Sequence, residues 1–332
     1  MTIIFSENPE NDLWRELLQF TYEANIKRYL AKKGHEVDED TINCIAGSFL
    51  QANEYYKAAK EDNLQISPLL LYYGTTNLLY GMVNLLSGSI NKISNHGMKI
   101  FIPDQMNFIA DTKIRFLSPV DGGVHVVARA IGVTSDLTGF GDWSLREFLD
   151  SIAEIQYDFT QCYNVQTGCT IMLDIFNTPD GKAEKIYFSE ENKDHLIELL
   201  KKVEGFEKSY LRFTSATDFK TGKEYFVLRH KLTGEDISKQ SYSGQPYLQA
   251  GHIKNSKLIT IPTLLNIYIS LFALSSLCRY FPERWSPFVL KDITGEKLLI
   301  EKFMFYARRL VPNYVLNNLL ENTIQYSSSR YT

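Results

Sequence analysis

An arginine and a histidine stand at the end of the first predicted helix, at a spacing that could support cleavage of RNA. Arg28 is followed by His35, with Lys32 and Lys33 between them. A histidine can move a proton to or from a ribose 2′-hydroxyl near neutral pH, and an arginine can stabilise charge on the phosphate. The same residues fit a solvated helix end, because cations are favoured at a helix C-terminus. Arg28 and His35 are therefore candidate catalytic residues, with a structural role as the alternative.

A second histidine, His96, follows a loop rich in serine and asparagine and stands directly before Gly97. Its imidazole titrates near neutral pH and could act as a base or bind a ligand. It could also hydrogen-bond carbonyls left unpaired at the end of the preceding helix and thereby fix the loop. We keep His96 as a further candidate catalytic residue beside that structural alternative.

Guanidinium and aromatic groups cluster at the end of a long uncharged segment, at Arg279, Tyr280, Arg284 and Trp285. These groups can bind phosphate and stack on bases, so they are predicted ligand or nucleic-acid contacts. The alternative is that an arginine caps the helix carbonyls while the two rings pack over the helix end, because Pro282 marks a terminus.

Tyr73, Asn77 and Asn84 lie along another uncharged segment, and the two asparagines are seven residues apart on one helical face. A buried asparagine needs hydrogen-bond partners. The asparagines could bond across the core or line a pocket, and Tyr73 and Asn77 are predicted ligand contacts. The sequence has no Gly-rich phosphate loop, no His-Glu-x-x-His or Gly-x-Ser-x-Gly motif and no metal-ligand spacing, so we expect no metal or other cofactor.

Composition excludes several classes of protein. With 332 residues, 44% hydrophobic and 22% charged residues and a net charge of −4, the chain has the balance of a globular protein. It has no basic tail or long block of like charge for gripping nucleic acid. Its four cysteines, Cys44, Cys162, Cys169 and Cys278, fit neither a zinc knuckle nor a redox pair, and the N-terminus lacks signal-peptide features. We therefore expect reduced structural thiols in a cytoplasmic protein.

Two segments without charge, 63–91 and 258–278, decide the predicted architecture. A helix that is apolar on nearly every face must be buried in lipid or in a protein core. Both segments contain several Thr, Asn, Ser or Tyr residues, which are costly in hydrocarbon unless they are paired. We therefore predict core helices that pack against each other and do not insert into a membrane.

Helices are predicted at both ends of the chain, with strands and helices mixed between them. The predicted helices cover 9–34, 40–59, 262–281 and 296–325, and a further helix runs from Ser67 as N-cap, with Pro68 in its first turn, to about Gly88. The middle begins with predicted strands at 99–102, 113–117 and 125–130, and a capping box of Ser144 with Glu147 then starts a helix that runs to about 158. A strand-rich stretch follows over 168–232, with turns at 179–181 and 221–222 and a helix over 190–203. The stretch 234–255 is polar and predicted to be irregular. The pattern predicts a mainly α protein: helices of 1–97 and 256–332 complete one bundle, and 98–255 is an α+β insertion.

Several sequence blocks resemble the YaaC-like family of bacterial proteins. They are Trp14 with Phe20 and Tyr29-Leu30, Gln51-Ala52 with Tyr55-Tyr56 and Ala58-Ala59, Pro68-Leu69-Leu70-Leu71-Tyr72-Tyr73-Gly74 with Asn77-Leu78, His96-Gly97, and Leu274-Ser275-Ser276-Leu277 leading to Arg279-Tyr280, Pro282 and Trp285. The blocks cover both ends of the chain and leave the middle largely unmatched. The family brings no activity that transfers to this chain, so the resemblance mainly supports the predicted fold.

More distantly, Tyr72-Tyr73-Gly74, the aliphatic run and His96-Gly97 resemble the second half of a HEPN domain. Such domains are helical bundles, commonly dimeric, associated with RNA cleavage or nucleotide transfer in toxin–antitoxin and phage-defence systems. The catalytic forms use an arginine followed after four to six residues by a histidine, a spacing that Arg28 and His35 share at a different place in the helices.

The HEPN-like resemblance implies an interaction or regulatory module in a nucleic-acid-related stress or phage-defence setting, working through a protein partner or a homodimer. Two alternatives stay open. One is a metal-independent HEPN-type ribonuclease, with RNA or a nucleotide as its ligand. The other is a small-molecule binding protein with its pocket between the central helices.

Overall fold

The computed structural model describes residues 2–59, 63–104, 108–119, 121–165, 168–178, 181–211, 213–231, 234–292 and 294–327. Its α-helices are α1 (Pro9–Leu18), α2 (Glu23–Lys32), α3 (Glu39–Ala58), α4 (Ser67–Ser87), α5 (Phe108–Asp111), α6 (Gly123–Ala130), α7 (Leu145–Leu149), α8 (Gln156–Tyr163), α9 (Lys193–Lys201), α10 (Phe206–Ser209), α11 (Thr263–Tyr280), α12 (Pro282–Lys291) and α13 (Glu296–Leu320). Short 3-10 helices cover Gln19–Thr21, Leu137–Phe140 and Ala153–Ile155.

Small sheets accompany the helices, so the protein mixes helix and strand. The strands are β1 (Thr2–Phe5), β2 (Met98–Phe101), β3 (Lys113–Phe116), β4 (Asp142–Ser144), β5 (Thr170–Met172), β6 (Asp174–Thr178), β7 (Gly181–Phe188), β8 (Thr214–Thr217), β9 (Glu224–Leu228), β10 (Lys239–Gln240), β11 (Pro246–Gln249), β12 (His252–Lys254), β13 (Lys257–Ile259) and β14 (Ile324–Ser327). They pair as β1-β14, β2-β3-β4, β10-β11-β5, β6-β7-β9-β8 and β12-β13. The β1-β14 pair is parallel, and the other pairs are antiparallel.

The chain folds as two compact units. The first comprises Met1–Phe148 with Pro262–Thr332, and the second comprises Leu149–Ile261. The first unit therefore contains both ends of the chain. It also contains β2, β3 and β4, so the segment 98–148, which the sequence assigns to the insertion, lies with the helices.

The two uncharged segments form α4 and α11, which are buried on nearly every face. They pack against each other, and Tyr72 of α4 stacks on Tyr268 of α11 with ring centroids 5.7 Å apart. Gly88 ends α4 in the left-handed region at a φ of 63°. Ser67 is the first helical residue and not the N-cap, because its hydroxyl donates back to the Asn63 carbonyl at 2.8 Å.

The prediction of one continuous helix over 9–34 is wrong. This segment breaks into α1 and α2 because Gln19–Thr21 tighten into a 3-10 turn and Tyr22 is extended. The break lets Phe20 pack against Phe49 of α3 and Tyr29 of α2, with ring centroids 5.5 Å apart in each pair. Core packing decides a chain turn that helical periodicity does not reveal.

The predicted strand 125–130 is also wrong, because this segment is helix α6. Its β-branched valines favour a strand by propensity, but propensity is a weak prior that tertiary packing overrides. Gly122 and Gly123 start the helix where the chain passes close to Gly97, and Val124 and Val127 are fully buried.

The second unit contains most of the remaining strands. Helix α9 lies within the predicted 190–203, and its leucines Leu196, Leu199 and Leu200 are buried in the same core as strands β5, β7 and β9. The stretch 234–255, predicted to be irregular, forms β10, β11 and β12, which backbone pairing stabilises without a strong side-chain pattern. Of the predicted turn at 179–181, Pro179 and Asp180 lie outside the described residues.

The capping box is present: Ser144 N donates to Glu147 Oε2 at 2.7 Å, and Glu147 N donates to Ser144 Oγ at 3.4 Å. The helix it starts, α7, ends at Leu149 and not near 158, because the chain bends through the 3-10 turn Ala153–Ile155 before α8. Within the described ranges, no helix taken singly has the length and hydropathy to cross a membrane; only α11 with α12, bent by 105°, reaches that limit as a pair.

Candidate functional site

A cleft of about 330 Å³ opens in the first unit, beside the contact between α4 and α11. Three parts of the chain form it. Helix α4 contributes Tyr72 and Tyr73, the loop before β2 contributes His96, and the last turn of α11 contributes Arg279 and Tyr280. Because α4 and α11 are held by core packing, side chains about two hundred residues apart in sequence meet on one surface.

His96 lies at the inner wall of the cleft and is half-buried. Its Nδ1 is 2.7 Å from the hydroxyl of Tyr72, which is only 2% exposed. Burial, and then the charge of Arg279, lower the pKa of His96, so its imidazole is neutral at neutral pH. Burial raises the pKa of Tyr72 well above its usual value, so this hydroxyl keeps its proton.

The hydrogen bond between Tyr72 and His96 allows two proton arrangements. When the Tyr72 hydroxyl donates to Nδ1, Nε2 of His96 carries the imidazole proton and is a donor. When Nδ1–H donates to the Tyr72 oxygen, Nε2 has the free lone pair and is an acceptor. A neutral His96 can therefore donate or accept a hydrogen bond through Nε2 according to what binds beside it.

Further hydroxyl groups lie behind Tyr72 in the core. Burial raises the pKa of the Tyr268 hydroxyl, and the nearby hydroxyls of Thr76 and Tyr72 partly offset that rise. Neither the Tyr268 hydroxyl nor Thr76 Oγ1 meets a partner at full hydrogen-bond geometry among the described residues. The hydroxyl of Tyr80 also lies close to that of Tyr268 at the backbone of Gly123. A polar patch thus adjoins the inner wall of the cleft inside an apolar core.

Arg279 gives the cleft its charge. Its Nη1 donates to the Tyr73 hydroxyl at 2.7 Å, and its guanidinium carbon lies 4.9 Å from the ring centroid of Tyr280. Lys99 of β2 lines the same cleft. The described lining contains these two cations and no carboxylate, so the potential in the cleft favours an anion.

The structure brings four of the predicted site residues together: Tyr73, His96, Arg279 and Tyr280 all line the cleft. The other predicted contacts make structural hydrogen bonds. Asn77 Nδ2 donates to the Tyr73 carbonyl at 2.9 Å, Arg284 Nη1 donates to the Pro103 carbonyl at 2.7 Å, and Trp285 Nε1 donates to the Leu64 carbonyl at 3.2 Å. Asn84 accepts from Asn91 N at 2.9 Å, which ties the loop after α4 to that helix.

Arg28 and His35 do not line this cleft. Arg28 is exposed on α2. The half-buried ring of His35 packs against Gly88 so closely that a β-carbon at that glycine would lie 2.5 Å from His35 Cγ. Among the described residues no hydrogen bond joins the two side chains, and His35 contributes packing at the end of α4.

Sequence reasoning missed several lining residues. Tyr72, Lys99, Phe272, Ser275 and Ser276 line the cleft, but none was predicted as a site residue. Tyr72, Ser275 and Ser276 stand in the blocks that carry the family resemblance, which is one signal that points to them. Their polarity inside uncharged helices could have marked them, because a buried hydroxyl needs a partner or a ligand.

The chain belongs to the YaaC-like protein family, whose model matches residues 12–319. The match spans both units, including the middle part that the recognised blocks leave out. No curated protein and no solved structure gives a significant match to the chain.

Proposed function

We propose that this YaaC-like protein binds a small anionic ligand that carries a planar ring, of nucleotide type, in the cleft between α4 and α11. The observation that carries the proposal is the meeting of His96 with Arg279 and Tyr280 in one cleft, although His96 is remote from the other two in sequence. Small-molecule sites are typically concave, about 300 to 1,000 Å³ in volume, and hold a few polar groups among apolar and aromatic side chains.

Charge supports an anion as the ligand. Arg279 and Lys99 line the cleft without a carboxylate among the described lining residues, so a phosphate entering it meets two cations. A guanidinium presents several N–H donors in one plane and suits phosphate oxygens. One of the Arg279 nitrogens is already fixed by the Tyr73 hydroxyl at 2.7 Å, which orients the group.

Aromatic rings support a planar group on the same ligand. The Tyr280 ring is 60% exposed although it borders the cleft, and Phe272 forms part of the wall beside His96, with ring centroids 5.6 Å apart. Stacking of a base on an exposed aromatic ring contributes about 1 to 3 kcal/mol. His96 can then recognise a donor or an acceptor on the ring edge, since its neutral imidazole offers either.

Isothermal titration calorimetry with AMP, adenosine and inorganic phosphate, followed by the other nucleoside monophosphates, tests the proposal. We expect a nucleoside monophosphate to bind more tightly than its nucleoside or phosphate alone. Arg279→Ala should weaken that binding by about 10- to 100-fold, because a charge-assisted hydrogen bond contributes about 1.5 to 3 kcal/mol.

Arg28→Ala is the matched control, since it removes the same charge from an exposed helix outside the cleft. It should leave affinity unchanged. Absence of binding by every nucleoside monophosphate, or equal losses in Arg28→Ala and Arg279→Ala, would refute the assignment of the cleft.

Cleavage of RNA is the second candidate function. Because Arg279 and His96 line the same cleft, we propose this pair, and not Arg28 with His35, as its catalytic residues. His96 is neutral and could take a proton from a 2′-hydroxyl while Arg279 stabilises charge on the phosphate. RNA cleavage that survives His35→Ala but is lost in His96→Ala and Arg279→Ala would support this candidate. RNA cleavage that survives both His96→Ala and Arg279→Ala would refute this candidate function.

We further propose that the protein acts in the cytoplasm as a regulatory module with a protein partner or a second copy of itself, in a nucleic-acid-related stress or phage-defence setting. The support is the HEPN-like resemblance of the helical part, together with a cleft suited to a nucleotide. Size measurement in solution with and without the bound nucleotide tests the self-association. A monomer under both conditions would exclude the homodimer.

A further inference from the structure

The second unit contains a thiol and an imidazole in contact. Cys169, directly before β5, has its Sγ 3.8 Å from Nδ1 of His252, the first residue of β12. This separation is within reach of a hydrogen bond to sulfur. Cys169 is 8% exposed, and His252 is half-buried. Eighty-three residues separate the two in sequence, and the pairing of β5 with β11, just before β12, brings them together.

A third group orients the imidazole. Ser151 Oγ lies 3.0 Å from Nε2 of His252, on the opposite side of the ring from Cys169. When Ser151 accepts the Nε2–H, the lone pair of His252 is on Nδ1 and faces the thiol. A nucleophile, a base within hydrogen-bond reach and a third group that orients the base form the general arrangement of an activated nucleophile.

The electrostatic surroundings explain why the thiol needs this partner. Burial disfavours a lone thiolate, and the nearby carboxylate of Asp150, whose Oδ1 accepts from Cys169 N at 3.0 Å, also disfavours negative charge on sulfur. Transfer of the thiol proton to His252 instead gives a thiolate–imidazolium pair, in which the two charges offset each other.

An amide oxygen without a partner in the described part of the chain lies beside Gly168, the residue before Cys169. Gln156 is 4% exposed, and its Nε2 donates to the Asp150 carbonyl at 2.6 Å. Its Oε1 has no hydrogen-bond partner among the described residues and faces the backbone of Gly168, the residue before Cys169. A buried acceptor without a donor destabilises the folded protein, and a bound polar group that donates to it would remove that cost.

We propose that Cys169 and His252 form a covalent site at which the thiol takes an acyl group from an ester or thioester donor. In this step Sγ attacks the acyl carbon, the S–C bond forms and the bond to the leaving oxygen or sulfur breaks. The thiol proton passes to His252 Nδ1 and then to the leaving group. Water, deprotonated by His252, can later release the acyl group as a carboxylic acid and restore the thiol. Ser151 is a positioning residue, and the site is independent of the cleft in the first unit.

The probe is p-nitrophenyl acetate on the full chain, with release of p-nitrophenol measured and the acetylated peptide identified by mass spectrometry. We expect an initial release equal to one acetyl group per chain, carried on Cys169. The half-buried Cys162 of α8 in the same unit provides the internal comparison. At neutral pH Cys169 should react about ten-fold faster or more than Cys162, because the thiolate is the nucleophile and His252 can take the Cys169 proton.

Substitutions then separate chemistry from packing. Cys162→Ser should leave the acetylation of Cys169 unchanged, whereas His252→Gln should slow it about ten-fold or more. Ser151→Ala should move the pH dependence of the rate while leaving some reaction. Since His252→Gln could also unfold the unit, the comparison of Cys169 with Cys162 in the unsubstituted protein decides independently. Equal acetylation of the two thiols, or no acetylation of Cys169, would overturn the proposal.

Discussion

Gly81 of α4 allows α4 and α3 to approach closely, and adding one methyl group there should destabilise the first unit. A β-carbon at position 81 would lie 2.9 Å from Cδ2 and 2.9 Å from Cε2 of the Phe49 ring, well inside ordinary contact. Phe49 is fully buried, so its ring cannot move into solvent. The Gly81→Ala substitution must therefore shift the helices apart or force the ring from its rotamer.

The size of the effect follows from two opposing contributions. Overpacking of a buried core typically costs about 1 to 3 kcal/mol. Replacing glycine by alanine inside a helix contributes about 1 kcal/mol of stability through helix propensity. Gly81→Ala should therefore change the free energy of unfolding by about 0 to 2 kcal/mol in the destabilising direction.

Gly47 of α3 is the matched control, because a β-carbon there meets no atom of the described residues within 4 Å apart from its chain neighbours and the nearby backbone of its own helix. Gly47→Ala gains the propensity contribution alone and should stabilise by about 1 kcal/mol. The two variants should differ by the overpacking cost, about 1 to 3 kcal/mol, and each kcal/mol corresponds to about 2 to 4 °C in Tm for a unit of this size.

Thermal unfolding followed by near-ultraviolet circular dichroism measures both variants under identical conditions. The expected order of Tm is Gly47→Ala above the unsubstituted protein and Gly81→Ala at or below it. If Gly81→Ala unfolded at the same temperature as Gly47→Ala or higher, the close contact between α3 and α4 would be refuted.

Three further predictions follow from single contacts. Ser144→Ala removes the capping box and should destabilise by about 1 kcal/mol in urea unfolding, while Ser144→Thr, which keeps the hydroxyl, should not. Trp285→Phe leaves the buried Leu64 carbonyl without its donor and should cost about 1 to 3 kcal/mol in the same assay. Burial lowers the pKa of His96, so the folded protein binds a proton at this residue less readily than the unfolded chain does. The contribution of His96 to stability is therefore complete above its unfolded pKa of about 6.5 and is lost as the pH falls below that value. His96→Gln should flatten this fall between about pH 5 and 7, leaving the slope due to His125, whose pKa burial also lowers; an unchanged slope would contradict the burial of His96.

The two predicted core helices depend on strong local signals. Pro68 fixes the first turn of α4, Gly88 supplies the left-handed residue that ends it, and the absence of charge between them requires burial. The same reasoning places α11 between Pro262 and Phe281. These features act within one turn or one helix, so they can be predicted from neighbouring residues in the sequence.

The errors occur where packing overrides local preference. The β-branched residues of α6 favour a strand, but the segment is helical because it is buried around Val124 and Val127. The chain also turns at Gln19–Thr21, where periodicity predicts a continuous helix. Neither outcome follows from neighbouring residues alone, since the deciding contacts are distant in sequence.

By itself the sequence determined that two uncharged helices must be buried and that the ends of the chain must meet to bury them, because apolar surface is excluded from water whatever the topology. It also singled out His96, Arg279 and Tyr280 as chemically capable. Only the tertiary structure decided that these three line one cleft, that Arg28 and His35 lie outside it, and that Cys169 contacts His252. Distances of a few ångströms between remote residues depend on the relative placement of whole helices and strands, which no local pattern encodes.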